Sequence, residues 1–223
     1  MFFNSDYKDL MPDHPEPDDN PSFFGLLGRN CGALLKANLL FLLGCVPVVT
    51  LPLSLLAMNR VIRQIVRDQP VECFRVFRET FRRGWKQGYL AFLLTAVPLV
   101  CAGFGMWVYL NLAGTSLLFL LPFLVCSTIF LVALLSSGCL YGLPDRGRDW
   151  KESLRLAVLL GVVKPLRTVP AALFGYGLPL LAVLWLPFSG LYLVVIGFSF
   201  PCLIEHYILR PVLNPYMDEA ESL

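Results

Sequence analysis

The sequence predicts an all-α polytopic membrane helix bundle, and three observations carry that expectation. Hydrophobic residues make up 57% of the 223 positions and charged residues only 15%, against roughly 45–50% and 25% in soluble domains. Apolar runs long enough to cross a hydrocarbon core of about 30 Å recur along the chain. Between them the cations gather, with 8 of the 18 Lys and Arg lying in residues 59–87. The reading is one membrane domain over 1–223, with five transmembrane helices and two cytoplasmic amphipathic helices.

Taken in order, residues 1–21 include the run MPDHPEPDDNP, whose proline and aspartate content predicts an extended polar tail. It lacks the basic start of a cleaved signal, so the first apolar run is expected to stay in the protein. Residues 22–33, SFFGLLGRNCGA, read as a short interfacial helix anchored by its aromatic pair. Residues 34–58 form the first expected span, with Lys36 as its only charge. The basic segment that follows contains a helix over 71–86. There Phe74, Phe77, Phe81 and Trp85 recur at helical spacing, while Arg75, Arg78, Glu79, Arg82, Arg83 and Lys86 fill the remaining arc. This face is the candidate contact surface for lipid or a partner.

Spans are expected at 89–110 and 116–140, joined as a hairpin, and at 169–186 and 190–207, joined near Phe188. The 141–167 connection carries Arg146, Arg148, Lys151, Arg155, Lys164 and Arg167. By the positive-inside rule both basic connections face the cytoplasm, giving an outside N-terminus and a cytoplasmic C-terminus. The second connection repeats the first. Glu72, Phe74, Arg75 and Val76 align with Glu152, Leu154, Arg155 and Leu156, so span, cytoplasmic helix and span occur twice as a parallel repeat. The uncharged run around 156–163 is too short for a sixth span.

Chemistry is sparse in this pattern. A net charge of +2 argues against nucleic acid and for anionic lipid or an acidic protein surface as the partner of the basic segment. Seven cysteines without a CxxC pair and two distant histidines, His14 and His206, give no metal-ligand spacing. No nucleotide or cofactor fingerprint occurs, and no catalytic constellation of Ser, His and Asp is evident. Glu205, His206 and Arg210 read as a boundary ion pair at the end of the last span. Pro47, Pro52, Pro98 and Pro201 lie within the expected spans, where each removes a helical hydrogen bond.

Asn38-Leu39-Leu40-Phe41-Leu42-Leu43, then Val46-Pro47-Val48-Val49-Thr50, then a basic helix with Phe77, Phe81, Arg82, Trp85, Lys86 and Gln87 resemble the YesL family of bacterial membrane proteins. The likeness is clear over the first half of the chain. Where that family has a small glycine-containing segment after the threonine, Leu51 and Pro52 stand here. The resemblance implies a multi-pass plasma-membrane protein, without catalytic residues or cofactor, serving as an accessory to carbohydrate uptake beside subunits of an ABC transporter. The alternative is a small-solute permease with a path between proline-kinked helices.

Overall fold

The computed structural model describes residues 22–113, 117–143, 150–186 and 188–221, and among these every regular element is helical. The tail over 1–21 lies outside the described residues. The first helix, α1 (Phe23–Cys45), stops just before Pro47, because proline has no N–H to continue the ladder. A single 3-10 turn (Val48–Thr50) reverses the chain, and α2 (Leu51–Val66) takes Pro52 into its first turn, where a missing N–H costs nothing. Thr50 Oγ1 lies 2.5 Å from the Gly44 carbonyl and 2.8 Å from that of Pro47, so its hydroxyl occupies carbonyls that the break frees.

Two expectations are corrected here. The single span over 34–58 is a helical hairpin, and 22–33 is the first half of α1 rather than a separate interfacial helix. The hairpin is closed at its far end by an ion pair of 3.3 Å between Arg29 and Asp68. Asp68 ends α2 at a φ of 54°, a left-handed conformation that aspartate tolerates better than most residues. The start of α1 therefore lies beside the end of α2 and the entry to α3 (Cys73–Arg83). A start of α1 on the opposite side from the first basic segment does not fit that placement.

Gly84 alone separates α3 from α4 (Trp85–Ala113), and α4 pairs with α5 (Leu120–Gly142) after a 3-10 turn (Leu117–Phe119). Beyond lie α6 (Trp150–Val163), the one-residue link Lys164, and α7 (Pro165–Leu184). The chain ends in the short α8 (Gly190–Val195) and α9 (Ser199–Glu221). Among the described residues four helices, α1, α4, α5 and α7, are long and apolar enough to cross a membrane. The fifth span expected over 190–207 is broken at 196–198, and α9 is not among the four.

That second break is held by one side chain from α1. Asn38 is fully buried. Its Nδ2 donates to the carbonyls of Leu193 at 2.9 Å and Val194 at 2.7 Å, and its Oδ1 accepts from the backbone N–H of Phe198 at 3.0 Å and Ser199 at 3.2 Å. One amide thus satisfies backbone groups on both sides of the interruption, which a dry interior requires.

Two apolar cores result. One joins α1, α2, α3 and the start of α9 through Leu34, Phe41, Val61, Ile62, Ile65, Phe77 and Leu203. The other joins the start of α4, the end of α5, α6, the start of α7 and the middle of α9 through Ala91, Cys139, Leu160, Ala171 and Leu209. Between them α2 acts as a strut, with Leu53 against Gly88 of α4, Asn59 against Cys202 of α9, and Arg63 donating to the Leu143 carbonyl. The distal parts of α4 and α5 pack on each other and leave Val100, Phe104, Trp107, Leu121 and Leu124 exposed.

Candidate functional site

The candidate site begins with how α3 is seated. Cys73, Phe77 and Thr80 are buried on one face, at a spacing of four and three residues, which points that face into the α1–α2 hairpin. Cys73 Sγ donates to the Ala33 carbonyl at 3.4 Å, and Thr80 Oγ1 accepts from Arg60 at 2.9 Å. Burial pushes the Cys73 thiol above its usual range, opposed in part by the charge of Lys36. Seating α3 in this way fixes what it shows outward: Arg75, Arg78, Arg82, Arg83 and Lys86 are all exposed.

The aromatic face read from the sequence is divided by the structure. Phe77 is 5% exposed and Phe81 is half-buried, whereas Phe74 is 68% and Trp85 54% exposed. Two aromatics hold the helix down and two stand beside the arginines, with Lys86 Nζ 6.0 Å from the centroid of the Trp85 ring, at the outer limit for a cation–π contact. Every residue assigned to this surface is therefore within one helix and its first following turn, and all but Phe77 and Phe81 are presented outward.

Beside α3 runs a groove of about 1050 Å³, bounded on the α1 side by Arg29, Lys36, Leu39, Leu40 and Leu43 and on the other by Glu72, Phe74, Arg75 and Arg78. Four cations and a single carboxylate surround a wall of leucines. Periodicity within α3 pointed to the arginines, but the contribution of α1 was not legible, because 34–58 reads as one lipid-facing rod.

Glu205 and His206 are set differently from the boundary trio that the sequence suggested. Glu205 is 6% exposed and His206 3%. The Glu205 carboxylate sits between Gly138 of α5 and Gly175 of α7, and a methyl group at either glycine would overlap its oxygens. Next to Gly138 and Gly175, Ser137 Oγ and Tyr176 OH share a hydrogen bond of 2.6 Å. His206 turns the other way, its Nδ1 3.0 Å from the Cys202 carbonyl, and its buried Nε2 has no hydrogen-bond partner among the described residues. Arg210 stands half-buried one turn further on. No group of three His, Cys, Asp or Glu among the described residues is placed to hold a metal ion.

Residues 34–106 are similar to the family described as "Protein of unknown function, DUF624". That stretch starts in α1 just before Asn38, takes in the hairpin and α3, and ends within α4. No curated protein and no solved structure matches the chain.

Proposed function

We propose that this chain is a non-enzymatic multi-pass membrane protein that works by contact, with the outward face of α3 docking on an acidic surface of a partner subunit. The observation that carries this reading is the exposure of Arg82, Arg83 and Lys86, beyond the groove, on a helix whose other face is locked into the core by Phe77 and Thr80. A preorganised row of cations loses little freedom on binding and recognises carboxylates or phosphates well. The resemblance of residues 38–87 to the YesL family makes a carbohydrate ABC transporter the proposed partner and the bacterial plasma membrane the proposed location, with α3 on the cytoplasmic side. The test is photo-crosslinking in cells from positions 82 and 83. Capture of a transporter subunit is the expected result, and capture of nothing but lipid overturns it.

We further infer that the chain is a parallel repeat with α2, α3 and α4 matched to α5, α6 and α7. Residues 80 apart support it: Ala91 and Ala171 are both buried, as are Ala102 and Ala182, Phe77 and Ala157, and Thr80 and Leu160. The one-residue links Gly84 and Lys164 fall at the same spacing, and Arg63 meets the carbonyl of its own counterpart, Leu143, as a position near a two-fold axis would. A cross-link between cysteines placed at 63 and 143 tests the contact.

A second reading, a small-solute permease, rests on Glu205, since an acid inside an apolar bundle is most often retained for transport. Flux through proteoliposomes containing this chain alone, abolished in Glu205→Gln, favours it. No flux across a broad solute panel removes it.

A further inference from the structure

We infer that the groove between α1 and α3 is a binding site for a single anionic phospholipid, distinct from the partner face at Arg82, Arg83 and Lys86. Its lining has the two chemistries such a molecule carries. Lys36, Arg75 and Arg78 converge from the two helices, and among the described residues no acidic side chain pairs with any of them. Arg29 is held by Asp68 at 3.3 Å, which leaves the other three to meet a phosphate. Arginine donates to phosphate oxygens through a planar fork, and lysine adds a point charge. Along α1 the lining then changes character to Leu39, Leu40 and Leu43, with Leu39 and Leu43 exposed and Phe74 exposed opposite. A soluble phosphate has no use for that apolar wall, whereas an acyl chain fills it.

The groove is kept open by a small residue. Gly32 lies in its lining, and nothing stands within 4 Å of where a Cβ would be. A Cβ there is free of contact, so a larger side chain has room to extend into the groove, and replacing a helical glycine does not weaken the helix. Gly28 sits one turn earlier with the same open surroundings but outside the groove, so it supplies the matched control.

The experiment uses the full chain in nanodiscs, with phosphatidylglycerol or phosphatidylcholine as the guest lipid and retained lipid counted by native mass spectrometry. Wild type is expected to keep one phosphatidylglycerol in preference to phosphatidylcholine. R75A/R78A is expected to weaken retention about thirtyfold, from roughly 1 kcal/mol for each cation near a lipid surface. G32L is expected to abolish retention with every cation intact, and G28L to leave it unchanged. Excess inorganic phosphate should not displace the lipid. Equal retention of both lipids, equal retention by G32L and wild type, or displacement by inorganic phosphate each overturns the site. R82A/R83A, which tests the partner face, should not alter lipid retention, so the two proposals fail separately.

Discussion

The two short helices that link the larger ones, α3 and α6, are seated alike and dressed differently. Each buries a narrow face against the helix before it, α2 or α5, through Phe77 and Thr80 in one and Ala157 and Leu160 in the other. Each passes through a single residue into a long helix. Yet the exposed positions of their second halves contrast pair by pair. Where α3 shows Arg78, Glu79, Arg82 and Arg83, α6 shows Val158, Leu159, Val162 and Val163. Seating is set by the buried face, so the difference reports on the medium outside. Cations on α3 suit water, headgroups or an acidic surface, and exposed aliphatics on α6 suit acyl chains. One architecture thus presents a charged outer face on α3 and an aliphatic one on α6.

The largest effect should come from the part both helices depend on. Asn38→Leu removes the four hydrogen bonds that hold the break before α9, and α9 contributes to both cores. Leaving these groups buried and unpaired is expected to cost about 3–5 kcal/mol, read as a fall in thermal stability in detergent. Hydrogen exchange should rise in α3 and α6 together. A rise confined to one of them would break the equivalence of their settings.

Next in size is the buried position they share. Phe77→Ala should cost about 3–4 kcal/mol through the cavity it leaves, while Ala157→Leu should cost about 1–3 kcal/mol by overpacking, both measured by thermal unfolding. The first helix is then held by a large side chain in a roomy seat and the second by close approach. If Ala157→Leu proved neutral, α6 would be loosely seated and the parallel would weaken.

Exchanging the outer faces tests the medium directly. Val162→Arg should cost about 2–3 kcal/mol if α6 faces acyl chains, whereas Arg82→Val at the matched position of α3 should stay within about 0.5 kcal/mol. Tryptophans at 82 and 162 give an independent reading. Brominated lipid should quench the one at 162 and aqueous iodide the one at 82, and equal quenching of both by lipid would erase the distinction.

Part of this contrast is legible in the sequence, and the reason is distance along the chain. The two faces of α3 follow from residues within three turns of one another, so periodicity alone separates Phe77 from Arg78 and Arg82. Pro47 is different: its lost hydrogen bond reads as a kink within one span, and only the packing of α2 back on α1 makes it the end of a helix. Asn38 reads only as a polar residue near a span end, since its partners lie 155 to 161 residues away. Glu205 and His206 look like boundary charges for the same reason: the glycines that admit Glu205 to the interior, Gly138 and Gly175, belong to other helices. The cationic face of the groove was visible, but its leucine wall was not, because the fold of α1 against α3 depends on the hairpin turn.

The smallest effect concerns how the chain enters α3. Asp68 does two things at once, holding a left-handed φ of 54° and pairing with Arg29 at 3.3 Å. The pair is partly exposed, with side chains 36% and 15% accessible, so it contributes under about 1 kcal/mol. The left-handed backbone adds about 1 kcal/mol for a residue that dislikes it. Asp68→Gly keeps the conformation and loses the pair, whereas Asp68→Ala loses both and should be the less stable by about 1 kcal/mol. Cys73 reports the consequence for α3. Its thiol is buried and its pKa raised by that burial, so little thiolate exists near neutral pH and maleimide labelling should be slow beside the exposed Cys31. Loosening the turn in Asp68→Ala should speed labelling at Cys73 and leave Cys31 unchanged. Were Cys73 as slow as before, the seat of α3 would be set by Phe77 and Thr80 alone, and its entry turn would be dispensable.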